Sequence, residues 1–433
     1  MLKNKFSIFQ LFSPMGIALL LVVSLVFNIG PLFIGIEVFL LLSYLYRYVP
    51  AVIYMVRARS IKNKLRPLPG TTVPHKDFIV LVPAHNEADS IAPLVKTAVA
   101  QDYPREHYRV VVVADNCTDS TADIARAHGA ECIEKNIKDP QPGKGACLAY
   151  ASKMLQQEQL HSDTYFVIVD ADCEVEPDYL SEINKRLSQY DEPSVLQTFR
   201  YVKNRNASVV SMLDAASENV RQLVTLGSRD LARMNAYLHG SGTVFEKSIF
   251  FRFADMGNEC AAEDKEWNAW LLRDRIPIKW CPSAKLSYNV FEKNEEFQKQ
   301  RVRWVRGQFI TARKLAGEAL MQGISRGSLS QIDYALSLYQ LPRSVLIFFT
   351  FFCAIANYFF FSSAAWASIW FVLSMSIVPF ELVGLRLSDI NREFFSTGFK
   401  MIWGVTRSSL ASSVNMGTGK FWTEIRGAEK KDS

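Results

Sequence analysis

The stretch Tyr165-Phe166-Val167-Ile168-Val169-Asp170-Ala171-Asp172 decides the fold of this chain. Its five leading apolar residues predict a strand buried on both faces, as in a parallel sheet covered by helices. Two carboxylates then emerge where the strand ends, which is the edge at which open α/β sheets bind ligands. Two hard oxygen ligands at this edge suit Mg²⁺ or Mn²⁺, held largely through the phosphates of a substrate.

The sequence before this stretch alternates between strand and helix patterns. Strands are predicted over residues 78–83, 108–114 and 130–133, and helices over residues 88–100, 118–128 and 145–156. Such alternation indicates a parallel sheet with right-handed crossovers. We therefore expect an α/β domain over residues 77–315, preceded by a basic linker containing Pro and Gly over residues 57–76.

Polar residues follow the first two predicted strands as well. The first strand leads into Pro83-Ala84-His85-Asn86-Glu87, and the second into Ala114-Asp115-Asn116-Cys117-Thr118-Asp119. Asp115 is placed to accept a hydrogen bond from a nucleotide base, whereas Asp119 is expected to cap the following helix. These clusters should meet Asp170 at one edge of the sheet.

The segment Gly143-Lys144-Gly145 precedes a predicted helix. It lacks the Ser or Thr and the earlier Gly of a P-loop, which excludes an ATPase of that type. A helix N-terminus and a lysine can still hold a phosphate group.

Two later segments carry further candidates. Glu263-Asp264 opens a helix predicted over residues 263–272, where the carboxylates favour the helix dipole or supply a general base. In Gln300-Arg301-Val302-Arg303-Trp304, the first, fourth and fifth residues share one helix face. The arginines could pair with the oxygens of an anionic ligand and Trp304 offers a flat apolar surface, or the segment could be a basic helix with an interfacial Trp.

Apolar runs flank this domain on both sides. Residues 6–46 contain one charge, Glu37, and residues 344–385 also contain one, Glu381. Each run is long enough for two membrane spans, or for one span and an interfacial segment. An intramembrane carboxylate is costly, so either glutamate could line a substrate path, although Glu381 could simply pair with Arg386.

Turn signals divide both apolar runs. Asn28-Ile29-Gly30-Pro31 interrupts the first and the region near 361–363 interrupts the second. Lys and Arg lie outside the runs, which places both termini and the central domain in the cytoplasm by the positive-inside rule. A signal peptide is the alternative for the first run, but the run is too long and has no small-residue cleavage site.

The expected organisation follows from these patterns. It comprises two membrane helices in 1–56, the linker in 57–76, a catalytic domain in 77–315, interfacial helices in 316–342, two membrane helices in 343–387, and an interfacial helix with a cytoplasmic tail in 388–433. A third short span is the competing interpretation for the amphipathic stretch 394–410.

Composition narrows the possible partners. The formal net charge of +6 fits juxtamembrane Lys and Arg facing anionic lipid. The basic residues form no recognisable nucleic-acid motif, so no nucleic-acid partner is expected. The seven cysteines contain no Cys-x-x-Cys pair. Six of them lie in the inferred cytoplasmic domain and are expected to be reduced thiols, and no metal is assigned to them.

Taken in order, these segments resemble glycosyltransferase family 2, in its membrane-embedded branch with cellulose, hyaluronan and chitin synthases. The resemblance covers about residues 77 to 310. Val113 to Asp119 and Glu263 to Trp267 are also similar to exopolysaccharide-cluster glycosyltransferases. The resemblance implies a Rossmann-like GT-A fold that binds a nucleoside diphosphate sugar, usually one linked to UDP.

The resemblance also implies a role for each matching residue. Asp264 would be the catalytic base, with Glu263 beside it. Asp172 would bind the metal together with Asp170. The nucleotide sugar would contact Asp115 (at the uracil), Lys144, Asp170, Glu87, Arg301 and Arg303. The acceptor would contact Trp304, Gln300, Gly240 and Ser241, the last two from His239-Gly240-Ser241-Gly242, which resembles the family's glycine-rich strand entry; His239 itself is expected to be a packed, hydrogen-bonded histidine.

We therefore expect a metal-dependent, inverting hexosyltransferase in the inner (plasma) membrane, with several spans and a cytoplasmic catalytic domain. Its product would be a growing cell-surface or extracellular polysaccharide, and export or polymerisation proteins are possible partners. The alternative is a transferase that adds one sugar to a lipid-linked glycan precursor, because four spans are fewer than processive synthases typically carry. A non-catalytic membrane scaffold is the alternative of another class.

Overall fold

The computed structural model of this chain describes residues 14–27, 29–69, 73–137, 143–190, 195–254, 263–290 and 304–387. The chain divides into two compact units. The sheet unit comprises Val56–Asn204, Arg221–Asn289 and Gly419–Ser433, and the helical unit comprises Met1–Met55, Arg205–Val220 and Val290–Thr418. The interfacial segment predicted over residues 388–433 lies outside the described residues.

The sheet unit is built on one mixed eight-stranded sheet. Its order is β3-β2-β1-β4-β7-β6-β8-β5. The strands are β1 (Asp77–Ala84), β2 (Tyr108–Asp115), β3 (Glu131–Lys135), β4 (Thr164–Ile168), β5 (Cys173–Val175), β6 (Val195–Val202), β7 (Thr243–Glu246) and β8 (Ile278–Tyr288).

The first four strands form the parallel half of the sheet. β1 pairs in parallel with β2 and with β4, and β2 pairs in parallel with β3. All four strands were predicted. The apolar runs of β1, β2 and β4 are buried, whereas Cys132 and Ile133 of β3 are only partly buried. Beyond β4 the sheet becomes mixed, since β7 pairs antiparallel with both β4 and β6.

The two units contain α-helices that are numbered in chain order. They are α1 (Pro14–Val26), α2 (Gly30–Asn63), α3 (Ile91–Val99), α4 (Thr121–Ala127), α5 (Lys144–Leu155), α6 (Tyr179–Leu187), α7 (Val209–Asn219), α8 (Gly227–Leu231), α9 (Lys247–Ala254), α10 (Glu263–Arg273), α11 (Gly317–Arg326), α12 (Leu329–Leu338), α13 (Arg343–Phe359) and α14 (Ala364–Leu387).

Two of these helices begin three residues later than the sequence predicts. Before α4, the backbone N–H of Thr118 donates to the Asn86 side chain, and an Asp119 oxygen accepts from the Thr121 N–H at 3.1 Å. Before α3, the Ala88 N–H donates to Asp119 as well. Side-chain hydrogen bonds therefore hold both segments as loops. The N-cap of α4 is Ser120 rather than Asp119, which was expected to cap the helix; Asp119 lies one residue earlier and accepts from the Thr121 N–H in a local turn.

The helical unit has its own apolar core. Buried side chains of α1 and α2 belong to one cluster with those of α13, among them Leu21, Leu40, Leu346 and Phe349. α1 ends before Asn28 and α14 begins after Ser363, so both predicted turns are confirmed. Polar pairs lie inside this core.

One of these pairs contains Glu37, the one charged residue of the first apolar run. The Asn357 Nδ2 donates to Glu37 Oε1 at 2.6 Å, and the hydroxyls of Tyr44 and Thr350 lie 3.2 Å apart. Glu37 is therefore hydrogen-bonded across two helices of its own unit. The side chain of Glu381 lies outside the described residues.

Among the described residues, α2 is the one helix of 18 residues or more that is apolar enough to cross a membrane, judged by length and composition. Shorter apolar helical stretches are Gly16–Val26, Val345–Phe359 and Ala364–Ser376. Large apolar side chains on α2 are exposed, including Ile34, Leu42 and Val49.

α2 is broken at Arg57, whose backbone has φ of −118° and ψ of 17°. The segment after this break belongs to the sheet unit. Ile61 is completely buried there and packs closely against Gly227. A Cβ added to Gly227 would lie only 2.7 Å from the Ile61 side chain. Lys64 also forms an ion pair with Asp230.

Candidate active site

The candidate site lies where the order of strands reverses. β1 and β4 are neighbours, although the chain visits β2 and β3 between them. The contact continues past β4, because the Val169 N–H donates to the Leu81 carbonyl at 3.1 Å. A reversal of this kind opens a crevice at the carboxyl ends of the strands, where α/β proteins bind ligands.

The loops after β1 and β2 are joined at this edge. His85 Nδ1 lies 2.5 Å from the Asp115 carbonyl, and Asn86 Oδ1 accepts from the Thr118 N–H at 2.7 Å. Asn86 has a φ of 55°, in the left-handed region that Asn tolerates. The turn places Glu87 at the crevice, where it accepts a 2.6 Å hydrogen bond from the Ser90 hydroxyl.

Asp115 ends β2 and is buried beside the end of β3. Its Oδ1 lies 3.1 Å from Lys135 Nζ and accepts from Asn116 Nδ2 at 2.8 Å. Asp115 and Lys135 are also direct neighbours in the pairing of the two strands. The carboxylate is thus held by neighbouring donors at the sheet edge, where the sequence predicted a nucleotide contact.

The Asp170-Ala171-Asp172 stretch forms a turn between β4 and β5. The Asp170 N–H donates to the Ser241 hydroxyl at 2.9 Å, and Ala171 is buried, which anchors the turn. Asp172 is open to solvent within the crevice. Although one side of the residue is exposed, the surrounding protein atoms remove water from its carboxylate, and this raises its pKa to about 6. The negative charges of Asp170 and Glu87 raise the pKa further.

Lys144, the first residue of α5, connects two of the predicted segments. Its Nζ lies 2.5 Å from Asp170 Oδ1 and 3.9 Å from Glu263 Oε1. Burial lowers the pKa of Lys144, but the attraction of Asp170 and Glu263 outweighs burial, so the pKa is raised. Lys144 therefore remains a cation between two carboxylates.

The predicted catalytic pair opens α10 as the sequence indicates. Glu263 and Asp264 occupy the first turn of this helix, both partly buried. Burial raises the pKa of Glu263; Lys144 opposes this shift and the charge of Asp264 adds to it. The Asp264 Oδ1 accepts from the Lys265 N–H at 2.9 Å.

Asn268 fixes the position of this first turn. Its Nδ2 donates to the Asp264 carbonyl at 2.8 Å and to the Leu238 carbonyl at 3.2 Å, and its Oδ1 accepts from the Leu238 N–H at 2.9 Å. Asn268 is buried. The Asn268 side chain thereby links the candidate base Asp264 to Leu238, which directly precedes the glycine-rich segment.

The glycine-rich segment is held from below by a second buried amide. Gln197 Nε2 donates to the Ser241 carbonyl at 3.0 Å, and Gln197 Oε1 accepts from the His239 N–H at 2.8 Å. Gly242 has a φ of +75°, and a Cβ there would lie 2.2 Å from Thr198 Oγ1. His239 joins this arrangement through its backbone N–H, and the expected hydrogen bond of its side chain stays a prediction.

The two predicted acceptor contacts in this segment occupy different environments. Gly240 lies at the cleft, and a Cβ there would meet no atom within 4 Å. The Ser241 side chain is buried and turned inward, where it accepts from the Asp170 N–H and lies 3.4 Å from Cys173 Sγ. Ser241 therefore supports the Asp170 turn, and its predicted contact with an acceptor stays a prediction.

A small cleft brings several of these residues together. Its walls contain three charged side chains with apolar and glycine neighbours: Lys144, Leu148, Ile168, Leu238, Gly240, Thr243, Glu263, Asp264 and Trp267. Trp267 is buried and packs edge-on against Phe245 at 5.1 Å. Charged groups beside an apolar wall are typical of a substrate site.

The predicted arginine segment divides between described and undescribed residues. Gln300, Arg301 and Arg303 lie outside the described residues. Trp304 is half-buried at the start of the helical residues 304–311, in the helical unit. The roles predicted for these four residues therefore remain predictions.

Three buried polar residues of the site were missed at the sequence level. Lys135 ends β3, Gln197 interrupts the apolar strand β6, and Asn268 lies among the apolar residues of α10. Gln197 and Asn268 carried a signal in the sequence, because each is a polar residue between buried neighbours, whereas Lys135 stands between the exposed residues Glu134 and Asn136 and carried no such signal. Such residues are hydrogen-bonded in folded proteins, which makes them candidates for holding a site together.

Within the described residues, no group of three or more His, Cys, Asp and Glu side chains is arranged to hold a metal ion. Six cysteines lie in this part of the chain and are free thiols, and five of them belong to the domain for which reduced thiols were expected: Cys117, Cys132, Cys147, Cys173 and Cys281. Asp170 and Asp172 could still hold Mg²⁺ or Mn²⁺, since these ions commonly use one or two carboxylates together with substrate phosphates.

The fold has a counterpart among solved structures. A mannosyltransferase from Pyrobaculum calidifontis, solved in complex with GDP-Man and Mn²⁺, matches with a TM-score of 0.57 at 15% sequence identity. The match covers 88% of this chain and 99% of that protein. It supports a mixed α/β fold of the GT-A type.

Sequence relatives point to the same group of enzymes. A probable glycosyltransferase of Bacillus subtilis, YdaM, is 25% identical over 271 residues, or 61% of this chain. The match spans 62% of that relative's length. The glycosyltransferase AglE of Haloferax volcanii is 32% identical over 96 residues, which are 22% of this chain and 30% of the relative.

The family model described as "Glycosyltransferase like family 2" matches residues 74–307, more than half of the chain. This interval contains the parallel half of the sheet, the Asp170-Ala171-Asp172 turn, Lys144 and the first turn of α10. The chain, which folds these segments around one crevice, therefore belongs to glycosyltransferase family 2.

Proposed function

We propose that this chain is a membrane-bound, inverting glycosyltransferase that moves a sugar from a nucleoside diphosphate sugar, first of all a UDP-sugar, to a growing glycan. The observation that carries this proposal is the placement of Lys144 between Asp170 and Glu263, which joins the predicted donor and catalytic segments in one crevice. The family membership supports the reaction class.

The donor's diphosphate would lie between Lys144 and the Asp170-Ala171-Asp172 turn. Lys144 opens α5, and a helix N-terminus with a lysine favours phosphate. The mutual repulsion of Asp172, Asp170 and Glu87, which contributes to the raised pKa of Asp172, is a charge imbalance that a cation would relieve. A bound Mg²⁺ or Mn²⁺ would neutralise charge on the departing diphosphate.

Asp264 would take the proton from the acceptor hydroxyl. The acceptor oxygen then attacks the anomeric carbon as the bond from that carbon to the diphosphate oxygen breaks. A single in-line displacement of this kind inverts the anomeric centre. The support is geometric, since Asp264 lines the cleft beside Gly240 and Lys144, and Asn268 holds its backbone in place.

Glu263 would act mainly on Lys144 rather than on the acceptor. Its Oε1 lies 3.9 Å from Lys144 Nζ, and its raised pKa reflects burial. When Lys144 turns toward a diphosphate, Glu263 would remain its nearby counter-charge.

We infer that the helical unit is embedded in a membrane with several spans, and that the sheet unit faces the cytoplasm. The exposed apolar side chains of α2 support membrane association, as do those of α13 and α14, including Phe359 at 71% and Val372 at 64% exposure. A water-exposed unit rarely presents so many large apolar groups together. The basic residues flanking the runs support the orientation.

The acceptor is proposed to be a cell-surface or extracellular polysaccharide, with possible export or polymerisation partners. The alternative, a single sugar added to a lipid-linked precursor, is favoured by the short membrane portion of the sequence. Product length separates the two proposals: a ladder of long polymer supports the first, and one added sugar supports the second.

The proposal is tested with the full chain in detergent or vesicles. Labelled UDP-sugars and GDP-sugars are supplied with Mg²⁺ or Mn²⁺, and product is sized. Asp264→Asn should lower turnover about 10²–10⁴-fold, because it removes the proton acceptor while keeping the side-chain shape. Its binding of UDP should stay within about twofold of the original, since no donor contact is lost.

Unchanged turnover in Asp264→Asn would contradict the mechanism. Full activity after exhaustive chelation with EDTA would contradict the metal requirement. Absence of transfer from every nucleotide sugar, in a protein that remains folded, would favour the non-catalytic scaffold.

A further inference from the structure

Lys135 and Asp115 form a buried ion pair at the end of β2 and β3. Lys135 Nζ lies 3.1 Å from Asp115 Oδ1, and the two side chains are 3% and 9% exposed. The strands pair these residues directly, and the Asn116 N–H donates to the Lys135 carbonyl at 2.7 Å. Backbone and side chain therefore fix the pair together.

Two donor groups approach the Asp115 carboxylate, and both approach the same oxygen. Lys135 Nζ and Asn116 Nδ2 both approach Asp115 Oδ1, at 3.1 and 2.8 Å. Among the described residues no donor is recorded on Oδ2. An aspartate with one oxygen held and the other available is a directed acceptor, because its orientation is set before a ligand arrives.

Burial explains why a lysine is needed beside this acceptor. A charged carboxylate taken out of water is costly unless an opposite charge and hydrogen bonds compensate it. Lys135 supplies that charge from the neighbouring strand. Its replacement by an apolar side chain would leave Asp115 as a buried, uncompensated anion.

We propose that Lys135 is a positioning residue for nucleotide recognition: it holds Asp115 so that the second oxygen accepts a ring N–H of the donor's base. The inference rests on the proposed function. Uracil and guanine carry a ring N–H beside a carbonyl, whereas cytosine and adenine present an unprotonated ring nitrogen at the corresponding edge. The pair therefore admits UDP and GDP and disfavours CDP and ADP.

The test compares nucleotides that differ at this N–H. UDP and GDP are titrated into the full chain by calorimetry, and the tighter one is compared with its ring-methylated form (N3-methyl for uracil, N1-methyl for guanine). In the original protein, methylation should weaken binding about 10- to 100-fold, the usual worth of a hydrogen bond to a charged group.

Lys135→Met should weaken binding of the unmethylated nucleotide by about the same factor and leave the methylated one nearly unchanged. The ratio between the two affinities then collapses toward one, which a merely structural role would not produce. Lys135→Arg, which keeps the charge, should retain most of the ratio. If Lys135→Met does not fold, Lys135→Gln is measured instead. It removes the positive charge, and its side chain is one bond shorter than that of lysine, so it should hold Asp115 less firmly and lower the ratio in part.

Lys185→Met is the matched control. Lys185 lies 2.8 Å from Glu182, another buried carboxylate, but this pair is on α6 away from the strand ends. It should lower the thermal midpoint without changing the affinity ratio. An unchanged ratio in folded Lys135→Met or Lys135→Gln overturns the role of Lys135 alone. Failure of the original protein to bind either UDP or GDP overturns the proposed function and this inference together.

Discussion

Lys144 Nζ lies 2.5 Å from Asp170 Oδ1, so a lysine from the start of α5 neutralises the first carboxylate of the Asp170-Ala171-Asp172 turn. The same ammonium lies 3.9 Å from Glu263. The positive charge is therefore shared between the predicted nucleotide side and the predicted catalytic side of the crevice, before any substrate arrives.

Replacing Lys144 with Met should lower kcat/KM about 10- to 100-fold, because charge-assisted hydrogen bonds of this kind contribute about 1.5–3 kcal/mol. Lys144→Arg should recover part of the loss. Steady-state kinetics with a nucleotide sugar provide the measurement. Lys153→Met, at the exposed end of the same helix, is the control and should behave like the original protein. Near-normal kinetics in Lys144→Met would show that the ammonium does not act on substrate.

Affinity for Mn²⁺ should fall as the pH drops through about 6. The pKa of Asp172 is raised to about 6 by crowding and by the charges of Asp170 and Glu87, so protons compete with the cation below that pH. Calorimetric titration of Mn²⁺ at pH 5 and pH 7 measures the effect. Asp172→Asn should weaken binding and flatten the profile, whereas Asp89→Asn, at an exposed site after β1, should change neither.

The stability of the metal-free protein should respond to Asp172 in the opposite direction. A carboxyl whose pKa is raised above the ordinary 3.8 is protonated more readily in the folded state. Its stabilising contribution is therefore complete below pH 3.8 and is lost as the pH rises through about 6. Thermal midpoints of the original protein and Asp172→Asn, compared in EDTA at pH 5 and pH 7.5, should diverge at the higher pH in favour of Asp172→Asn.

Asn268→Leu should cost about 1–3 kcal/mol of stability, because it leaves buried polar groups of Leu238 and Asp264 without their partner. It should also lower kcat, since the first turn of α10 loses its tie to the chain before Gly240. Asn268→Asp should cost at least as much as Asn268→Leu, because a buried carboxylate oxygen would then face the Leu238 and Asp264 carbonyl oxygens in place of the amide donor. Unfolding curves and kcat are measured on the same samples; equal stability in all three proteins would contradict the assignment.

Two glycines of one segment should differ sharply when each is replaced by alanine. Gly242→Ala combines a left-handed φ of +75° with a Cβ that would lie 2.2 Å from Thr198 Oγ1, so we expect a loss of about 2–5 kcal/mol. Gly240→Ala has a similar φ of +81° but no atom within 4 Å, so only the backbone strain of about 1–2 kcal/mol remains. Similar thermal midpoints for the two variants would contradict this packing.

The sequence predicted the parallel half of the fold well because its signals are local. The apolar run before Asp170 is a buried strand, and Glu263 begins a helix as expected. The antiparallel half was beyond such signals, since pairing of β4 with β7 joins residues more than seventy positions apart. No local pattern specifies which distant strand will become the neighbour.

The same limit applies within the site. Asp115, Asp170 and Asp172 follow strands, so their edge could be predicted from position. The inward turn of Ser241 could not, because it depends on the Asp170 N–H and on Cys173, which reach it through the fold. Lys135 and Asn268 were overlooked for a related reason: their partners become visible only when strands and helices are assembled.

The break of α2 at Arg57 has a practical consequence for anyone trimming this protein. The border of the sheet unit is not β1, since Ile61 is completely buried against the region of Gly227 and Lys64 pairs with Asp230. A shortened chain starting at Asp77 would lack Ile61, so the apolar surface that Ile61 covers would be exposed to water and favour aggregation. A chain starting near Val56 would keep Ile61 in place. The last turns of α2, after Arg57, therefore belong to the sheet unit and should be kept with it.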